Sequence, residues 1–147
     1  MTEVPDEAIM LVKAFEGLAL VPYRDVTGFP TVGYGHLLAR EAAAPLPAAA
    51  ITPEDADALL RHDLARCASA LNRLVVVALR SRETAALLSF IFNLGVGAFQ
   101  ASTLRARLNR GERREAAEEF PRWVHAGGRR VPGLVRRRLA ERALFLS

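Results

Sequence analysis

Residues 20–38 differ from the rest of the chain. They are rich in Gly, Pro, Thr, Tyr and Val, whereas the flanking sequence is dominated by Ala, Leu and Arg. Ala, Leu and Arg favour helix, while β-branched and aromatic residues broken by Gly and Pro favour strands and turns. Tyr23-Arg24-Asp25, Val26-Thr27-Gly28-Phe29 and Pro30-Thr31-Val32-Gly33-Tyr34-Gly35 read as strand, turn and strand. No other segment reads convincingly as β. The expected class is α+β and mostly helical, with a small antiparallel sheet inserted after the first helix.

The helical segments follow from period and punctuation. Residues 5–16 place Ile9, Val12, Lys13 and Glu16 on or near one face, and Gly17 is positioned to end the helix. Residues 40–50, with Pro45 and Pro47, form a loop. Thr52-Pro53-Glu54-Asp55 is a strong helix start: a Thr cap, Pro at the first position and acids in the first turn. That helix is expected to reach about Leu74 and to connect two lobes. Ser81 is expected to cap a helix over 82–94 that is apolar nearly all round, which suits the centre of a helical lobe. Further helices are expected over 102–109, over 112–123 with a stop at Gly127-Gly128, and over 132–146. The 147 residues then make one domain. A helix over 5–17 and a β lobe over 18–50 come first, then a connecting helix over 52–75, then a helical lobe over 80–147. A cleft between the lobes is the expected ligand site.

Charge is uneven along the chain. Residues 1–100 carry 8 basic and 11 acidic side chains, whereas residues 101–147 carry 12 and 5. A basic C-terminal third can attract anionic wall polymer, lipid or nucleic acid, but no nucleic-acid motif is visible and the arginines lack interleaved aromatics. The one cysteine, Cys67, cannot form an intrachain disulfide and reads as a small packed side chain. No Cys/His spacing suggests a metal, and no cofactor is expected. Glu3, Asp6 and Glu7 precede an apolar stretch that Lys13 and Glu16 interrupt, so neither a signal peptide nor a membrane anchor is expected. The chain is read as cytoplasmic when made.

Two carboxyl groups near the sheet stand out. Glu16 ends the first helix among Phe15, Leu18 and Leu20. A helix C-terminus and apolar neighbours both disfavour a carboxylate, which suits a general acid. Asp25 sits at the turn beside Arg24, Thr27 and Gly28, a polar setting that keeps it ionised. Thr31, on the return strand, carries a hydroxyl able to hold a water. Glycoside hydrolysis uses such a pair, one acid protonated and one charged.

The spacing Glu16, Asp25, Thr31 resembles that of the phage-type lysozymes, glycoside hydrolase family 24. The contexts Phe15-Glu16-Gly17, Tyr23-Arg24-Asp25 and Thr31-Val32-Gly33-Tyr34-Gly35-His36 match as well. So do Ser89-Phe90-Ile91-Phe92-Asn93-Leu94-Gly95, Gly97-Ala98-Phe99 and Ser102-Thr103-Leu104. Near the C-terminus, Arg122-Trp123-Val124-His125-Ala126-Gly127-Gly128, Pro132 to Arg138, and Ala140-Glu141-Arg142 complete the likeness.

This resemblance implies a lysozyme-like two-lobed fold and an endolysin that hydrolyses the β-1,4 bond from N-acetylmuramic acid to N-acetylglucosamine in peptidoglycan. Glu16 would protonate the glycosidic oxygen, Asp25 would act on the attacking water and Thr31 would orient it. Inversion is implied, which requires the two carboxyls to lie roughly 6.5–9.5 Å apart. Leu37, Phe92, Asn93 and Thr103 match positions lining the sugar cleft, although Asn93 and Thr103 also suit helix capping. His36 is read as structural, paired with Asp63. One of Arg136, Arg137 and Arg138, with Arg137 preferred, is expected to pair with Glu16. Trp123 reads as core. The partner implied is the peptidoglycan strand, reached from the host cytoplasm through a holin-type lesion by a monomeric enzyme acting in the periplasm. The competing readings are a lytic transglycosylase on the same bond and a non-catalytic wall-binding protein.

Overall fold

The computed structural model describes residues 3–147. Its elements are α1 (Asp6–Glu16), β1 (Ala19–Arg24), β2 (Pro30–Gly33), β3 (His36–Leu37), α2 (Pro53–Leu74), α3 (Ser81–Leu94), α4 (Val96–Gln100), α5 (Thr103–Asn109), α6 (Arg113–Ala117), a 3-10 turn (Phe120–Arg122), β4 (His125–Ala126), β5 (Arg129–Arg130) and α7 (Pro132–Leu146). The class is mostly helical α+β, with the small sheet directly after the first helix. The chain divides into two compact units: residues 12–63, and residues 1–11 with 64–147.

The β unit is ordered around β2. It pairs antiparallel with β1, with Tyr23 opposite Thr31, and with β3, with Thr31 opposite Leu37. As the central strand β2 is buried along its length, with Val32 at 1% exposure. Burial of such a side chain stabilises by roughly 1.5–3 kcal/mol. α1 ends where Gly17 takes φ 67°, a left-handed conformation that a glycine adopts without a Cβ penalty. Lys13 of α1 bonds Asp57 of α2 at 2.7 Å, and Arg61 reaches the other oxygen of Asp57 at 2.7 Å. Both cations pull the Asp57 carboxyl below its ordinary range, Lys13 foremost. The start of α2 is closed reciprocally. Asp55 N donates to Thr52 Oγ1 at 3.0 Å, and Thr52 N donates to Asp55 Oδ2 at 3.1 Å.

The helical unit is built on α3, whose residues from Glu83 to Ile91 are buried. Phe90 meets Phe99, Phe120 and Trp123 edge-on, at centroid distances of 6.2, 5.5 and 5.6 Å. Such pairs add about 0.5–1.5 kcal/mol each beyond burial.

Four expectations change. The hairpin becomes a three-stranded sheet, because the chain after Gly35 turns back along β2. Ser81 does not cap α3: Arg80 holds the cap position, its N–H donating to Glu83 Oε1 at 2.8 Å. A short helix, α4, precedes α5. The helix expected over 112–123 is instead α6, a 3-10 turn and a second hairpin, β4–β5, turned by Gly127 and Gly128 at φ 58° and 77°. Both values suit the tight turn that joins two antiparallel strands.

Candidate active site

Glu16 is the last residue of α1, half-buried, so the helix delivers its carboxyl at the point where the chain turns into β1. Asp25 begins the turn between β1 and β2. Its backbone N–H donates to Phe29 O at 2.9 Å, and its carbonyl accepts from Gly28 N at 2.9 Å. Its side chain is fastened by one oxygen. Oδ1 accepts from Thr27 Oγ1 at 2.7 Å, Thr27 N at 2.9 Å and Phe29 N at 2.9 Å. Oδ2 takes part in none of these bonds. The donors, with the Thr27 hydroxyl foremost and the Phe29 amide next, hold the Asp25 carboxyl below its ordinary range. Arg24 secures the same turn from outside, donating to Gly28 O at 3.2 Å, Ala42 O at 2.7 Å and Ala44 O at 3.0 Å.

Thr31 is 4% exposed. Its hydroxyl donates to Phe29 O at 2.9 Å, the carbonyl that also accepts from Asp25 N. One backbone group therefore ties Asp25 and Thr31 into a single rigid turn. With its proton committed to Phe29, Thr31 Oγ1 is left with acceptor capacity. Thr27 and the Phe29 backbone were missed as functional residues by reading the sequence. The signal was an Asp followed two residues later by Thr and then Gly, the pattern of a side chain folding back onto its own turn.

His36, on β3, lies with Nδ1 2.7 Å from Asp63 Oδ2. Leu37, its neighbour, is 40% exposed. These residues and the Glu16, Asp25 and Thr31 trio all belong to the β unit.

Phe92, Asn93, Thr103 and Arg137 belong to the helical unit. Phe92 and Asn93 are half-buried in the last turn of α3, and Thr103 is exposed at the first position of α5. Capping of α5 falls to Ser102, whose hydroxyl accepts from Arg105 N at 3.1 Å. Trp123 is half-exposed against Phe90. Of the three consecutive arginines, Arg136 is exposed, while Arg137 and Arg138 are buried. Arg137 donates to the Ser89 carbonyl at 3.2 Å and hydroxyl at 3.3 Å, and it pairs with the buried Glu141 at 3.4 Å. Burial pushes the Glu141 carboxyl up, against the pull of Arg138, Ser89 and Arg137. Among the described residues, no group of three or more His, Cys, Asp or Glu side chains is placed to hold a metal ion.

A mostly helical α+β chain with one carboxyl at a helix end, and a second held ionised in the following hairpin, has the layout of a lysozyme-type glycoside hydrolase. The phage lysozyme family model matches residues 13–141, and the chain belongs to that family. It is 38% identical to the endolysin of Acyrthosiphon pisum secondary endosymbiont phage 1, covering 98% of both chains. It is 39% identical to the endolysin of Bacillus phage PZA over 99% of its own length, but spans only 55% of that protein. Among solved structures, a P22 lysozyme variant superposes with a TM-score of 0.87 at 36% identity, with both chains covered in full.

Proposed function

We propose that this chain is an endolysin that hydrolyses the β-1,4 bond between N-acetylmuramic acid and N-acetylglucosamine in peptidoglycan, with inversion. The observation that carries the reading is the turn at Asp25. A carboxylate anchored through Oδ1 by three donors, with Oδ2 outside those bonds, is a preorganised base for a water.

In this reading Glu16 gives its proton to the glycosidic oxygen as the bond to the anomeric carbon breaks. A water on the opposite face attacks that carbon and loses a proton to Asp25 Oδ2. Thr31 fixes the water's orientation. Its own proton is already given to Phe29 O, so Oγ1 accepts one water hydrogen while Oδ2 accepts the other. The water's lone pair is then left for carbon. Leu37, Phe92, Asn93 and Thr103 are proposed to contact sugar, and the His36–Asp63 pair to brace β3.

Delivery to the wall is proposed to follow a holin-type lesion. The apolar stretch that starts at Ala8 is taken up by α1 and β1 of the fold, with Ala8 and Val12 fully buried. Among the described residues no helix is long and apolar enough to cross a membrane.

The test is Glu16→Gln. A general acid contributes about 10²–10⁴-fold, so the variant should lose at least that much lytic rate on a permeabilised Gram-negative suspension. Its melting temperature should be unchanged or higher, because a half-buried carboxylate at a helix C-terminus is not there for stability. Lysis at near wild-type rate by the folded variant would reject Glu16 as the acid.

A further inference from the structure

Arg24 is exposed, yet its guanidinium is committed to backbone carbonyls, and among the described residues it pairs with no acid. Nη1 donates to Gly28 O at 3.2 Å and to Ala42 O at 2.7 Å, and Nη2 donates to Ala44 O at 3.0 Å. An exposed arginine that meets only neutral acceptors, on two separate segments, is a strap. The planar fork of a guanidinium can span such a set, whereas the single nitrogen of a lysine cannot.

The first segment is the turn that carries Asp25. Gly28 O and Phe29 N belong to one peptide unit, which is planar and trans, so its C=O and N–H point in opposite directions. Arg24 holds the oxygen of that unit at 3.2 Å, and Asp25 Oδ1 accepts from its nitrogen at 2.9 Å. The peptide is thus fixed from both ends. A donor on its carbonyl also polarises the unit and strengthens the N–H as a donor to Oδ1.

The second segment lies between β3 and α2, where residues 38–52 form neither helix nor strand. Its ends are fixed to the sheet: Leu38 N donates to Pro30 O at 2.8 Å, and Ile51 N donates to Leu20 O at 2.8 Å. Between them, among the described residues, the two bonds from Arg24 are the only hydrogen bonds that join residues 39–50 to the rest of the fold. Ala42 Cβ packs against Gly28, 3.6 Å from where a Cβ on that glycine would stand.

Resting on the lysozyme reading above, we infer that Arg24 is a positioning residue for hydrolysis: it grips the Gly28–Phe29 peptide on its carbonyl side, aims the Phe29 amide at Asp25 Oδ1, and uses residues 39–50 as the anchor. The direction of Oδ2, and so the placing of the water it receives, follows from that grip.

The test is kinetic and spectroscopic. Arg24→Lys keeps the charge and loses the fork. On peptidoglycan fragments kcat should fall about ten- to a hundredfold, the scale of a misaimed catalytic group. KM should stay in place, because the strap acts on the base and not on the sugar. Arg24→Ala should regain part of its kcat in dilute guanidinium chloride, but not in sodium chloride of equal ionic strength. In Arg24→Lys the Phe29 amide should exchange faster with solvent deuterium, while amides of α3 keep their wild-type protection.

A folded Arg24→Lys enzyme with wild-type kcat, or one that loses rate with Phe29 exchange unchanged, would overturn the inference. So would faster exchange throughout α3 with a lowered Tm, which is the mark of a merely structural arginine, or rescue by sodium chloride alone. Wild type needs no variant for one further check: its Arg24 Nη protons should give resolved resonances, and one averaged signal would count against the strap. Failure of wild type to cleave the wall would instead overturn the lysozyme reading, and the Phe29 exchange, which requires no substrate, would still decide the role of Arg24.

Discussion

Thr27 donates twice to one oxygen of Asp25, through its amide and its hydroxyl. This fixes both where the carboxylate points and where it titrates. Because the folded-state pKa lies below the ordinary 3.8, Asp25 favours folding above that value, and the contribution disappears as pH falls through the folded pKa. An enzyme that needs Asp25 charged should therefore have its acid limb of kcat/KM below 3.8 if Asp25 sets that limb. Thr27→Val keeps the amide bond and removes the hydroxyl, the largest cause of the shift. The acid limb should move upward, which a pH profile on soluble glycan reads directly; an unmoved limb would separate Asp25 from that ionisation. The environment of Asp25 was legible in the sequence because it is local: acid, Thr and Gly lie within four residues. The environment of Glu141 was not. Its partners Arg137 and Arg138 are adjacent in sequence, but the burial that makes them matter comes from packing of α7 against α3.

At the scale of elements, α3 was the most legible part of the helical unit. An unbroken apolar perimeter leaves a helix nowhere to go but the interior. Phe90 is its keystone, holding Phe99, Phe120 and Trp123 edge-on. Phe90→Ala should cost about 3–5 kcal/mol in urea denaturation; a loss below about 1 kcal/mol would mean that the cluster repacks around the cavity. The same sequence misled at β4–β5. Gly127-Gly128 was taken as a helix stop, although two glycines between short flanks are equally a hairpin turn. Strands of two residues show no alternation, so periodicity had nothing to register. The short helix α4 escaped for a related reason: five residues are too few for a 3.6-residue period to show.

For the whole molecule, the class was readable because one β-rich interval in a helical background leaves few architectures. Many of the arginines of the last third are engaged in ion pairs within the protein. Arg107, Arg110, Arg113, Arg122 and Arg142 pair with acids, and Arg137 and Arg138 each pair with the buried Glu141. What remains to be measured is how the bond is broken. Digestion of purified peptidoglycan in ¹⁸O-water, followed by mass spectrometry and rapid NMR of the new reducing ends, tests the account most directly. It predicts one ¹⁸O at each new N-acetylmuramic acid terminus, released first as the α-anomer. Anhydro-muramic ends without ¹⁸O would contradict the positioned water, and with it the roles given to Asp25 and Thr31.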